Sequence, residues 1–397
     1  MSSEISPQFI ASLTNALVYW RQQTQNLDDA LIMEIDPERR NLHQVVVMGL
    51  DLPQTWELAS DVALQTFFLA ERKGYWQEWA GVFERALNHC QAIEPHRQGR
   101  LLNRLGELYR YMRRLEAAVA VHKEAEALAQ EQDDDLALAE ARYRLCWDYL
   151  ETKQYGEAEV CCRFALKTFT HLGLRDDLLT NCYWALGSIA RRKGDIAAAQ
   201  ELLTRAVYMG HTTQQPTHLA RMLNELAWLL LETAAYEEAL AYLAEAEQIL
   251  AATASERDKI HVQLNRGLLF FRQEKWIEAE LAWRYALNSA YLRQSGEIQL
   301  QAHLAHNLGI ALLKQENLPE AEELFHYARQ LRLELQDKLA LANTLGGLAE
   351  VYARQGKQDE AISLFKEALQ LLAAYPDDAY AQKLWLEFEP QLQALLS

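Results

Sequence analysis

Apolar residues in this chain recur at offsets of three and four, the spacing that lines one face of an α-helix. They do so within a fixed ladder. A small residue, usually Gly or Ala, is followed three positions later by an aromatic or large apolar residue. Alanine comes twelve positions after the small residue, a core residue sixteen after, and alanine again nineteen after. The twelve-residue step crosses a short polar turn, such as Lys193-Gly194-Asp195 or Gln355-Gly356-Lys357. Each ladder therefore predicts two helices joined as a hairpin.

The first full copy is Gly106, Tyr109, Ala118, His122 and Ala125; the last is Ala349, Tyr352, Ala361, Phe365 and Ala368. Between them the leading small residues are Cys146, Gly187, Ala227, Gly267 and Gly309, and a degenerate copy led by Phe67 precedes them all. Successive leads lie 39 to 42 residues apart. The small positions are expected where the two helices of a pair cross, letting the backbones approach. A bulky residue at Ala199 or Ala321 is expected to overpack that crossing, costing ~1–3 kcal/mol. Three regions follow: residues 1–55 as a helical lead-in, 56–375 as the repeat array, and 376–397 as a cap. Pro376-Asp377-Asp378 stops the last repeat, and a final helix near 379–395 brings Leu384, Trp385, Phe388 and Leu392 to cover an open apolar end.

Composition agrees with an all-α chain: half of the 397 residues are apolar, with only 8 prolines and 16 glycines. The formal charge of −17 disfavours nucleic acid and anionic membranes as partners, because both require a basic surface. The five cysteines, Cys90, Cys146, Cys161, Cys162 and Cys182, are odd in number and irregularly spaced. They fit free thiols in a reducing compartment. The start, MSSEISPQF, lacks the basic-then-apolar form of a signal peptide, and no apolar run reaches membrane-spanning length, so a cytoplasmic location is expected.

The ladder resembles the tetratricopeptide repeat, most clearly in AHNLGIALLKQENLPEAEELFHYA and LGGLAEVYARQGKQDEAISLFKEAL. The resemblance covers about residues 56–375. It implies a right-handed superhelical solenoid of about eight hairpins with capping helices at both ends. Repeats in that family usually span 34 residues, so each copy here is about six residues longer. The segments at 35–46 and 56–87 further resemble the approach to the sensor region of STAND-class bacterial regulatory ATPases, through Asp36, Glu38, Asn41, Leu42, Trp76 and Trp79. No Gly-x-x-x-x-Gly-Lys-Ser/Thr phosphate loop accompanies them.

In that family the first helix of each pair lines a concave groove, at positions six and three before the small residue and one, four and five after it. Mapped on this chain, those positions supply Arg100, Asn103, Arg110 and Tyr111, then Tyr143 and Trp147. They go on to Asn181, Trp184, Arg191 and Arg192, and finally Arg221, Asn224 and Trp228. The full set of mapped positions in these four repeats holds five Arg against four Glu, on a chain of charge −17. Trp, Tyr and Arg dominate binding hot spots, and Asn satisfies both the donor and the acceptor of a peptide backbone. Arg191, Arg192 and Arg221 are expected to be open to a carboxylate, although Arg221 has an alternative partner in Glu225 one turn away, and Trp147 and Trp228 an alternative role as packing between first helices. A protein or peptide partner is the expected ligand, with a ligand-gated or peptide-sensing regulator as the alternative function.

The corresponding positions of the later repeats, including His261, His303, His306 and Asn343, are more apolar in company and fit ordinary packing. His303 and His306 lack a third ligand at metal spacing, so no metal or cofactor is expected. No Ser-His-Asp or Cys-His arrangement stands out. A solenoid groove is expected to be open and wet, which is poor for electrostatic catalysis, so no enzymatic activity is expected.

Overall fold

The computed structural model describes residues 6–89, 94–174, 176–213 and 215–397, and these form helices and turns with no strand among them. Cys90 lies outside the described residues. Contacts divide the chain into two compact units, residues 1–259 and 260–397.

The first unit begins with helices Pro7–Gln23, Asp29–Ile35 and Arg39–Leu50, followed by Trp56–Gln65, Phe67–Lys73 and Trp76–His89. Four hairpins follow: Pro95–Tyr111 with Leu115–Glu131, Asp135–Glu151 with Tyr155–His171, Asp176–Arg192 with Ile196–Gly210, and Pro216–Glu232 with Tyr236–Ala251. Helix Glu256–Arg272 spans the division between the units. The second unit continues with Trp276–Leu287, then pairs Ile298–Lys314 with Leu318–Glu334 and Lys338–Arg354 with Gln358–Leu372, and ends on Ala379–Leu396. A short extra helix, Ala290–Ser295, takes up the longest interval between leads, from Gly267 to Gly309.

One backbone feature marks the register in every copy. The residue seven positions after each lead has a left-handed φ: Gly74, Arg113, Lys153, Gly194, Ala234, Glu274, Glu316 and Gly356. The degenerate copy led by Phe67 shares it. Only three of these eight residues are glycine, so five repeats accept a strained φ to make the turn inside the hairpin.

The alanines twelve and nineteen after each lead are sealed, from Ala118 and Ala125 to Ala361 and Ala368. The lead itself plays a different part from the one its size suggests. A Cβ on Gly106 would lie 2.3 Å from the His122 ring, one on Gly267 2.3 Å from Trp283, and one on Gly187 2.7 Å from Leu203. In these three copies the small residue seats the side chain sixteen positions on, rather than simply letting backbones touch. In the degenerate copy the corresponding pair is Phe67 and Phe83, ring against ring at 6.4 Å. The final helix buries Leu384, Phe388 and Leu392 against Leu345 and Phe365, and Phe388 sits on Gly346.

Candidate functional site

The first helices of the hairpins in the first unit bring most of the predicted positions into one connected set. Trp147 and Trp184 stack obliquely at 4.7 Å. His218 is 6.3 Å beyond Trp184 and bonds the Asn181 amide oxygen at 3.1 Å. The Arg191 guanidinium lies 4.1 Å over the Trp228 ring. Asn103 and Asn181 are buried, and Trp147, Trp184, Asn224 and Trp228 are half-buried. Tyr143 turns toward the core of its own hairpin, packing with Cys146 and Cys162, and Arg100 stays exposed.

The arginines are mostly engaged. Arg191 donates to Glu225 at 2.8 Å. Arg221 does not pair with Glu225; it reaches Asp258 in the next first helix through contacts of 2.9 and 3.0 Å. The reason is spacing: charges about one repeat apart face each other across neighbouring first helices, as Arg144 and Glu107 also do at 2.6 Å. Burial pushes the Glu107 carboxyl up, but Arg104, Arg144 and Arg110 outweigh it and hold it down to about 2. Asp258 behaves alike: desolvation is overcome by Arg221, leaving it at about 2. Of the three arginines expected to be open to a carboxylate, only Arg192 is exposed.

A residue outside the predicted set crosses this face. Glu71, from helix Phe67–Lys73, accepts from Arg221 at 2.9 Å and from the Tyr111 hydroxyl at 2.8 Å. Arg257 lies 5.3 Å over the Tyr111 ring, and Trp76 stacks on it at 5.3 Å. Nearby, Asp29 pairs with Arg72 at 2.6 Å and accepts from the Ala254 amide at 2.7 Å. The inner face of this unit is therefore bridged at this end by Glu71 of the degenerate first copy and by Asp29 of the lead-in, and Glu71 is only 6% exposed. Burial of Glu71 acts to raise its carboxyl, yet Arg221 with Arg72 and His218 draws it below the usual range. Burial pushes the Tyr111 phenol well up.

Four buried polar atoms at predicted groove positions make no hydrogen bond: Asn103 Oδ1, Arg110 Nη1, Trp184 Nε1 and Ser188 Oγ. Trp184, Ser188 and Arg192 succeed one another at one-turn intervals on a single helix face. Arg110 stands 3.8 Å from Asp148, which bonds the buried His122. Donors and acceptors thus line a strip walled by indole rings. That composition suits an extended peptide backbone.

The second unit uses the same positions differently. His306 is buried; Asn343 Nδ2 donates to its Nε2 at 2.9 Å and also to the Tyr380 hydroxyl at 2.9 Å. Burial lowers His303 to about 4 and His306 to about 3, which favours the neutral ring in both. No cluster of three metal-ligating side chains occurs among the described residues. Cys146, Cys162 and Cys182 are free and buried in one core, with the Cys162 thiol directed at the Cys182 carbonyl, 3.4 Å away. No helix among the described residues is long and apolar enough to cross a membrane.

Sequence reasoning missed Glu71, His218 and Asp258. Asp258 was findable, since it lies about one repeat spacing beyond Arg221. Glu71 was findable as an inward position, four after the degenerate lead Phe67, but its pairing with Arg221 was not, because a contact between residues 150 positions apart leaves no periodic trace.

Comparison with known proteins places the repeats by name. The tetratricopeptide-repeat family matches residues 180–209 and 300–374. A curated relative, the tetratricopeptide repeat protein 19 homolog (mitochondrial) of Drosophila melanogaster, is 21% identical over 233 residues, 56% of this chain. The chain spans 63% of that relative's length. Among solved structures, the STAND protein with a tetratricopeptide repeat sensor from Pyrococcus horikoshii aligns with TM-score 0.58 at 14% identity, over 88% of this chain and 55% of that one. The apo quorum sensor NprR from B. thuringiensis aligns with TM-score 0.58 at 15% identity, over 91% and 97%. The chain carries tetratricopeptide repeats, and its fold is that of helical-hairpin repeat proteins.

Proposed function

Taking a chain of tetratricopeptide repeats as the premise, we propose that it is a protein-interaction module that holds a peptide segment of a partner along the inner face of residues 95–232. The carrying observation is the set of buried atoms that make no hydrogen bond, Asn103 Oδ1, Arg110 Nη1, Trp184 Nε1 and Ser188 Oγ, beside the Trp147–Trp184 pair. Leaving buried polar atoms unmade costs roughly 1–3 kcal/mol each. A peptide backbone laid against them restores those bonds, and the half-buried indoles supply contact area. Arg192 at the end of the strip offers a charge-assisted bond. The array 56–375 carries the face in this reading, and the lead-in 1–55 and the cap 376–397 support it.

The test compares capture from a lysate of the source organism by the wild type and by a Trp184→Ala, Arg191→Ala, Trp228→Ala triple variant of unchanged helicity and melting. A protein retained by the wild type and lost by the variant supports the inner face. Equal capture removes it as the site.

A second reading is a peptide- or ligand-sensing regulator. Its support is the likeness in fold to a STAND sensor and a quorum sensor, together with the lead-in, where Asp36 accepts from the Tyr75 hydroxyl at 2.8 Å and approaches Lys73 at 3.4 Å. Compaction in solution scattering on adding a small ligand or short peptide favours this reading; an unchanged profile favours the plain adaptor.

A further inference from the structure

The outer face of one hairpin departs from the ladder. In helix Trp276–Leu287 the positions ten, fourteen and eighteen after the lead Gly267 hold Ile277, Leu281 and Tyr285, each 62% exposed. They follow one another at one-turn intervals, so three large apolar side chains form a stripe on one face of the helix. The crossing alanines of the same helix, Ala279 and Ala286, are sealed, so the stripe has no part in closing the hairpin. Every other copy but one carries a charged residue at one or more of these positions, as Glu116 and Glu124 do in the first full copy. The exception, led by Cys146, has Gly156, Val160 and Phe164, and there Phe164 is half-buried beneath the Arg142 guanidinium, 4.0 Å away. The Gly267 copy is also the one that adds the short helix Ala290–Ser295. A stripe of this size that the fold leaves uncovered marks a surface for another molecule.

We propose that a second copy of this chain covers the stripe, with its helix Trp276–Leu287 running antiparallel to the first about a two-fold axis beside Leu281. The stripe is centred on that residue, four positions from Ile277 and four from Tyr285. The axis therefore lays Leu281 on its counterpart, and Ile277 on the second copy's Tyr285 twice over. The polar flanks match in the same arrangement. The exposed Glu278 carboxylate comes beside the second copy's Tyr285 hydroxyl. Arg284, which within one chain joins Glu280 at 2.7 Å and Glu320 at 2.6 Å, faces the second copy's Glu280. A parallel pairing would instead set Glu278 level with Glu278 and Arg284 with Arg284, like charge with like. One helix pair buries less than the roughly 1,600 Å² of a standard interface, so the association is reversible and depends on concentration. It uses second-helix positions and none of the inner-face residues, so it goes beyond the peptide-binding reading and stands apart from it.

Sedimentation equilibrium of the full chain tests it. The mean mass is expected to rise from one chain toward two as the concentration is raised to about 1 mM. Leu281→Glu changes an exposed side chain and sets two carboxylates against each other at the axis. With helicity and melting unchanged, it is expected to weaken association at least about tenfold. A mass of one chain throughout, or a dimer that Leu281→Glu leaves equally tight, overturns the proposal. Cysteine cross-linking then reads the direction of the pair, with the wild-type chain and its own thiols as background. Leu281→Cys is expected to give a cross-linked dimer on mild oxidation. Ile277→Cys is not, because antiparallel packing holds the two copies of that position eight residues apart along the helix, about 12 Å. Any other pattern overturns the antiparallel pairing. None of these variants touches Trp184, Arg191 or Trp228, so the capture experiment is read separately from this one.

Discussion

The inner faces of the two units are built on one ladder and put to different use. In residues 1–259 the first helices present indoles, arginines and carboxylates, tied by ion pairs about one repeat apart. In residues 260–397 the matching positions hold neutral histidines and an asparagine, linked by ordinary hydrogen bonds from His306 through Asn343 to Tyr380. The alanines at the hairpin crossings are sealed alike in both. The difference shows that the crossing positions specify the hairpin while the inner positions are left to specify chemistry.

Breaking the charged network gives the largest expected effect. Arg221→Ala leaves Glu71 and Asp258 buried without their shared cation, a loss of about 3–5 kcal/mol. Hydrogen exchange of the Pro216–Glu232 helix reads it. No comparable loss is expected from Asn343→Ala in the second unit, where only neutral bonds are removed, at roughly 1 kcal/mol.

Acid separates the units next. His303 and His306 bind protons more readily in the unfolded chain, where 6.5 applies, than in the fold, at about 4 and about 3. Their stabilisation is full above pH 6.5 and is lost as pH falls through those values, at about 1.4 kcal/mol per pH unit for each histidine. Exchange in helix Ile298–Lys314 is expected to rise below pH 6.5, and His303→Gln to halve the slope. An unchanged slope would mean the histidines are not neutral in the fold.

Packing at the lead positions gives a smaller, graded effect. Gly267→Ala drives a Cβ to 2.3 Å from Trp283 and is expected to cost ~1–3 kcal/mol. Gly309→Ala meets Phe325 at 3.2 Å, so its strain is offset by alanine's better helix propensity of ~1 kcal/mol, for a net change near zero. Smallest is Ala234→Gly, which relieves a left-handed φ of 60° and is expected to stabilise by up to about 1 kcal/mol. Thermal melting distinguishes these variants.

The hairpins were legible because their crossings need small residues at fixed offsets, and those offsets survive even where Cys146 or Ala227 replaces glycine. The turn was legible only in part: five of the eight left-handed turn residues are not glycine, so composition hides them. The indoles and Asn181 fall on one face, where their spacing in the ladder predicts them. The pairing of arginines was misjudged for Arg221, because a neighbour one turn away on the same helix, Glu225, competes with one on the next helix, and the latter has the better geometry. Glu71 holds the inward position four after the degenerate lead Phe67, so its face was legible, while its bond to Arg221, 150 residues on, was not.

The most direct measurement is hydrogen exchange of the full chain with and without a captured partner segment. Protection concentrated in helices Asp176–Arg192 and Pro216–Glu232 is the predicted result. Protection confined to Ile298–Lys314 and Lys338–Arg354, with the first unit unchanged, would contradict the assignment of binding to the charged, indole-lined face.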